Sequence, residues 1–251
     1  MITDLTFYAA ALPAVTLLGL AKGGFAGIGL LALPLLTLTI SPLQAAAITL
    51  PILLVQDVVS VWAYRHTWDS RNLAILLPSA TFGIVLGYVL AAQVSDAAVT
   101  LAVGAVSLVF ALRRLIQFAL SRKPAPRPAD IPRGFIWGAA SGFTSMIAHA
   151  GGPPFQIYVL PQGLARDVFV GTGAIFFAIV NWIKVLPYLA LGQFTSENLA
   201  TSAALFPIAI GSTMLGVALV RRVDGDRFFL AIYALLVAVG AKLVWDGWVA
   251  L

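Results

Sequence analysis

Four ionisable side chains stand within or beside long uncharged stretches of this sequence: Lys22, Asp57, His149 and Lys184. Lys22 directly precedes Gly23 and Gly24, and His149 stands two residues before Gly151 and Gly152. A helix interrupted at such a place exposes unpaired backbone N–H groups where it restarts, and these carry partial positive charge that attracts anions. Gly23, Gly24 and Gly27 would let backbone approach a ligand closely. Gly151, Gly152, Pro153 and Pro154 would serve the other side, with proline suited to the first turn of the restarted helix. Lys22, Lys184 and His149 add positive charge. Gln56, Thr172 and Asn181 add hydrogen-bond donors, and Trp182, beside Asn181, could line the cavity. The chemistry is capture of a small anion. Asp57 and His149 are the candidate proton carriers, since a buried Asp titrates high and His titrates near neutrality.

The elements that hold these groups follow from composition. Of 251 residues, 61% are hydrophobic and 10% charged, against about 25% charged in a soluble domain. So few charges cannot cover the surface of a soluble fold of this length. A water-soluble globule, a disordered chain and a nucleic-acid-binding domain are all excluded. The net charge of +5 reads as membrane topology. The absence of Cys removes disulfides, thiolate metal sites and Cys catalysis, and no cofactor is expected.

No Asp, Glu, Lys or Arg occurs between Lys22 and Asp57, Arg71 and Asp96, Asp96 and Arg113, Arg133 and Arg166, Asp167 and Lys184, Glu197 and Arg221, or Arg227 and Lys242. Crossing a bilayer takes about 20 apolar residues. The pattern gives eight hydrophobic segments, near 5–39, 44–64, 72–93, 97–118, 133–160, 167–190, 198–220 and 228–249. They are apolar on all sides, which argues against a barrel, and open strands cannot satisfy their backbone in lipid. The expected fold is an all-α integral membrane protein. The first segment has Asp4 where a signal peptide has a basic region, and its apolar run is too long for one.

A Pro-rich, charged linker over 121–133 divides a first membrane repeat (1–120) from a second (134–251). "WDSRNLAILLPSATFGIVLGYVL", from Trp68, resembles "FTSENLATSAALFPIAIGSTMLGVAL", from Phe194. Ser70 and Asn72 correspond to Ser196 and Asn198; Pro78 and Gly87 correspond to Pro207 and Gly216 at a spacing about three residues longer. Each half also carries a Gly-rich interruption, "AKGGFAGIG" and "AHAGGPP". Interrupted segments at matching places in two halves point to a transporter binding site.

Lys and Arg bias sets orientation. It puts the 65–71 loop (Arg65, Arg71), the central linker (Arg113, Arg114, Arg122, Lys123, Arg127, Arg133) and the 221–227 loop (Arg221, Arg222, Arg227) in the cytoplasm. The loops at 93–96 and 191–197 fall outside. Segment 133–160 must then enter and leave on one side, as two half-length helices, or else be one long tilted helix. By analogy 5–39 is a hairpin from the other side. Each half thus has one hairpin and three crossings, and the second is inverted. Trp62, Tyr64, Trp68, Trp137, Trp245 and Trp248, near segment ends, form an aromatic belt at the headgroups.

The paired halves, "GGFAGIGLLALPLL", "HAGGPPFQIYVL" and "NWIK" over Asn181–Lys184 together resemble the sulfite exporter TauE/SafE family over essentially the whole chain. The resemblance implies a bacterial inner-membrane protein that moves sulfite, sulfoacetate or related organosulfonates. The expectation is secondary active transport, with a small anion and lipid as partners and a second copy of the chain as a candidate one. A channel is the alternative from a neighbouring class. An integral membrane enzyme is disfavoured: "HExxH" is missing, no intramembrane carboxylate pair exists, and Ser145 with His149 lacks an orienting third group. No P-loop "GxxxxGK[ST]" occurs.

Overall fold

The computed structural model describes residues 1–25, 27–91, 93, 95–120, 126–220, 222 and 225–251. Among them there are ten α-helices and no strands: α1 (Leu5–Gly23), α2 (Ala32–Leu36), α3 (Pro42–Tyr64), α4 (Ser70–Ala91), α5 (Asp96–Ala119), α6 (Ile131–Ala148), α7 (Gly152–Val159), α8 (Arg166–Ala190), α9 (Ser196–Val220) and α10 (Gly225–Val249). A 3-10 turn over Ile28–Leu31 precedes α2. Six helical stretches are long and apolar enough to cross a membrane: Leu5–Gly23, Pro42–Tyr64, Ser70–Leu90, Thr100–Ala119, Arg166–Ala190 and Ser196–Val220. The chain is a multi-pass membrane protein.

Helix starts follow their local chemistry. Asp4 accepts from the Thr6 amide at 2.9 Å, and Asp130 accepts from the Arg133 amide at 2.9 Å, each satisfying a donor that the helix cannot. Ser41 caps α3 and is followed by Pro42 in its first turn. Because α6 begins at Ile131, the last three residues of the 121–133 linker belong to a helix. The linker is also tied down, since the Arg127 amide donates to the Pro161 carbonyl at 2.9 Å. Ser121, Arg122 and Lys123 of that linker, Val94 of the outer loop, and Arg221 lie outside the described residues.

Both Gly-rich segments are broken, so 133–160 is not one tilted helix. The two arms are unequal rather than half-length each: 18 residues in α6 against eight in α7. Ser141, ten positions upstream, donates to the Gly151 carbonyl at 2.7 Å, so the chain folds back along α6. In the first half a Cβ on Gly29 would lie 3.0 Å from the Ala21 side chain and 3.5 Å from that of Leu18, so that turn folds back along α1.

Helices α3 and α8 pack together at the centre. Helix α1 lies on α9, and α4 on α6; α9 also touches α3, and α4 touches α8. Helices α5 and α10 pair with each other at the side. Exchanging α1, α3, α4 and α5 for α6, α8, α9 and α10 maps these neighbours onto themselves. Backbone approaches closely at small residues: a Cβ on Gly216 would stand 2.9 Å from the Leu20 Cα, and one on Gly142 would stand 2.8 Å from the Ala80 Cα. Small residues at such crossings are how helices pack where lipid removes the hydrophobic drive. Large apolar side chains such as Phe82, Leu186 and Met214 are exposed on the outside, the surface that a membrane protein turns to lipid.

Candidate functional site

The site begins at the two helix breaks. Helix α1 ends at Gly24, whose φ of 130° only glycine adopts readily. Helix α6 ends at His149 with φ 49° and ψ 25°, a left-handed cap on a non-glycine residue. The His149 amide returns to the Ser145 carbonyl at 3.2 Å and the Ala150 amide to the Thr144 carbonyl at 3.1 Å.

A helix end leaves carbonyls without partners, and in both halves the central helix supplies them. From α3, Ser60 donates to the Lys22 carbonyl at 3.1 Å and Tyr64 to the Gly23 carbonyl at 2.7 Å. From α8, Lys184 donates to the Ser145 carbonyl at 3.0 Å and Tyr188 to the Met146 carbonyl at 3.0 Å. Asp57, Ser60 and Tyr64 on α3 repeat the spacing of Asn181, Lys184 and Tyr188 on α8. The leading members meet, with Asn181 Nδ2 donating to Asp57 Oδ2 at 2.6 Å. Tyr64 is therefore not part of the aromatic belt. It is buried because its hydroxyl reaches inward to the break.

The charges divide unequally. Lys22 and Asp57 form an ion pair, and the Lys22 ammonium also lies 5.5 Å from the centre of the Phe177 ring. Lys184 is fully buried. Its Nζ contacts the Ser145 carbonyl and His149 Nδ1, the latter at 2.7 Å, and among the described residues no carboxylate forms an ion pair with it. With Lys184 donating to Nδ1, the imidazole carries its proton on Nε2 and gives it to the Ala46 carbonyl, 2.8 Å away on α3. The second hairpin tip is thereby fastened to the first half. The ring stacks on Tyr188 at 5.9 Å.

A cavity of about 140 Å³ lies between the two breaks. Of the residues expected from the sequence, Lys22, Gly24, Gly27, His149, Gly152, Asn181 and Lys184 line it. Others lie beside it. Gly23 packs on Gly216 of α9, and Gly151 packs against Ser141 and Phe177. Pro153 is buried in the first turn of α7, and Asp57 stands behind Lys22. Three lie apart from the lining. Gln56 donates to the Val15 carbonyl at 3.3 Å, and its buried Oε1 has no hydrogen-bond partner among the described residues. Thr172 accepts from the Asp69 amide at 2.8 Å and donates to the Val168 carbonyl at 2.6 Å, joining α8 to the start of α4. Trp182 is 61% exposed on the outer face of α8, because adjacent helix positions point about 100° apart and Asn181 takes the inward direction.

The restarted helices expose few amides. Pro153 and Pro154 have no N–H, so Gly151 and Gly152 hold the free donors at the start of α7. In the first half the Ile28 and Leu30 amides already bond to the Phe25 and Gly27 carbonyls, at 3.4 and 3.2 Å. Side chains therefore carry more of the site's polarity than the breaks alone suggest. Ser145, Gln156, Phe155, Phe169 and Phe177 also line the cavity and did not stand out as ligand contacts in the sequence. Only the shared i, i+3, i+7 spacing on α3 and α8 marks the inner faces in advance. Among the described residues no three His, Asp or Glu side chains converge on a metal position.

The model of one protein family, described as Sulfite exporter TauE/SafE, matches residues 11–243. No curated protein and no solved structure matches the chain.

Proposed function

The chain belongs to the sulfite exporter TauE/SafE family of membrane transporters, and from that premise we propose that it carries a small sulfur-containing anion across the bacterial inner membrane by secondary active transport, the anion binding in the cavity between the two helix breaks. One observation carries this reading. Lys184 is buried, lines the cavity and has no ion-pair partner among the described residues. A buried cation without a counter-charge is costly, and an anionic guest offsets that cost. Sulfite, sulfoacetate and related sulfonates are the cargo class that the family membership supports.

In this reading the guest takes hydrogen bonds from Lys184, with the Gly152 amide on one side and Lys22 on the other. Its arrival draws Lys184 away from the Ser145 carbonyl and His149, two of the contacts that hold the end of α6 to α8, and leaves the Tyr188–Met146 bond as a pivot. Release of that end is the step that would let the second hairpin move. Asp57 offers a coupling point: a proton on its carboxylate would loosen Lys22 and free it for the anion. The halves act as inverted-topology repeats (1–120 and 134–251) about the α3–α8 contact. The exchange of helix neighbours and the matching clamps at both breaks support that symmetry. The basic 65–71 loop and central linker then face the cytoplasm.

The test is uptake of labelled sulfite into vesicles containing purified protein. Lys184→Met is expected to lower flux at least tenfold while the protein stays monodisperse and helical. Flux equal to the parent's removes Lys184 from the site and with it the basis of this reading.

A further inference from the structure

We infer that the paired side-chain amides of Asn72 and Gln162 form a latch, and that it must part before the cavity opens to the face carrying the 65–71 loop. This rests on the transport reading above and adds two positioning residues to it. Neither of them lines the cavity.

The repeat matches Asn72 to Asn198, each the third residue of its helix, α4 or α9. Both backbone amides are capped from three residues upstream, Asn72 by Asp69 Oδ1 at 2.7 Å and Asn198 by Thr195 Oγ1 at 3.2 Å. Each side chain also meets a glutamine of the opposite half, where a hairpin's return arm runs into a central helix. Gln162 closes the 3-10 turn Leu160–Gln162 between α7 and α8. Gln44 lies in the first turn of α3.

The two contacts are unequal. Asn72 Nδ2 donates to Gln162 Oε1 at 2.9 Å, and Gln162 Nε2 donates to Asn72 Oδ1 at 2.8 Å. At the other end Gln44 Nε2 donates to Asn198 Oδ1 at 3.4 Å, longer than the usual range. Asn198 Nδ2 bonds instead to the Gln193 carbonyl of its own half, at 3.0 Å. The helices still join there, since Ser202 donates to the Ile48 carbonyl at 2.8 Å. What differs is the amide pair, fastened at one end and slack at the other. A carrier whose repeats rock about a fixed site closes one end at a time.

The fastened pair acts on the cavity through the return arm. Gly152, Phe155 and Gln156 of that arm line the cavity, and Gln162 is its far end. Tyr158 donates to the Asp130 carbonyl at 2.9 Å, and the Arg127 amide to the Pro161 carbonyl at 2.9 Å. Parting from Asn72 therefore frees the arm's end from α4 and leaves it tied to its own half. Beside the latch, Thr172 accepts from the Asp69 amide at 2.8 Å, and Phe169, Val170 and Gly173 of the same helix line the cavity. Asn72 is buried, so its amide needs a partner. Bonds between neutral groups are weak in net terms, which suits a contact that parts and re-forms in every cycle; breaking a buried ion pair costs far more.

The chain has no native Cys, so introduced thiols report without background. In vesicles, Asn72→Cys with Gln162→Cys, bridged by a short bifunctional methanethiosulfonate, is expected to lose most of its sulfite flux and to regain it when the bridge is reduced. A second measurement needs no cargo. Ala174→Cys places a thiol in the cavity lining, and an impermeant thiol reagent is added to either face, the 65–71 face being identified by labelling His66→Cys in parallel. Adding Gln162→Ala is expected to speed labelling from the 65–71 face about tenfold, the order expected for losing two neutral hydrogen bonds, and not from the opposite face. Faster labelling from both faces would mean general loosening and would overturn the inference. So would an unchanged rate, or a bridged protein that transports as fast as the reduced one. If the parent moves no labelled sulfite, the transport reading fails by itself. In that case, or if the double variant does not fold, labelling of Ala174→Cys still decides the latch.

Discussion

Lys184 and Lys22 carry the same charge and do different work. Lys22 has a carboxylate partner and an aromatic ring beside it; among the described residues Lys184 has a carbonyl and an imidazole nitrogen. Breaking a buried pair leaves a lone charge, at a cost of about 3–5 kcal/mol. Lys22→Met is thus expected to destabilise the fold by that order, and Lys22→Met with Asp57→Leu to recover most of the loss, measured by denaturant unfolding in detergent. No recovery in the double variant would show that the pair is not what stabilises this region. The ionisable residues were legible one at a time, since each interrupts an uncharged run. Their pairing was not, because Lys22 and Asp57 lie on different helices and only packing decides which carboxylate meets which ammonium.

At the scale of elements, glycine has two roles that sequence does not separate. Gly142 faces the backbone of α4, where the Ala80 Cα would stand 2.8 Å from an added Cβ. Backbone cannot rotate away, so Gly142→Leu is expected to lower the melting temperature or prevent folding. Gly152 lines the cavity, and its nearest neighbour would be the Gln156 side-chain nitrogen at 3.7 Å. Gly152→Leu is expected to leave thermal stability nearly unchanged and to abolish anion flux by filling the cavity. Equal stability losses in both variants would contradict this division. The interruptions themselves were readable from Gly and Pro, which cannot sustain a helix there. The unequal arms were not, because the end of each long arm depends on hydroxyl and ammonium donors from α3 and α8.

For the whole molecule, the pairing of α1 with α9 and of α4 with α6 interlocks the halves: the long arm of each hairpin rests on a helix of the other half. The orientation proposed from the basic loops is open to direct test, since the chain has no native Cys. A single cysteine replacing exposed His66 is expected to react with an impermeant thiol reagent only from the cytoplasmic side. One replacing exposed Glu197 is expected to react only from the opposite side. Labelling of both from one face would rule out the inverted arrangement.

Composition alone determined that this chain lives in lipid as helices, because a tenth of charged residues cannot solvate a surface and unpaired backbone cannot survive in hydrocarbon. The uncharged runs determined how many segments there are, and glycine and proline determined where two of them break. Tertiary structure decided which side chains face inward, that Trp182 and Thr172 lie away from the cavity, and that Tyr64 turns toward the break. The physical reason is that a uniformly apolar helix carries no amphipathic stripe to announce its buried face. Inside the bilayer that face is chosen by contact between helices, through close-packed glycines and the few polar groups that must find partners.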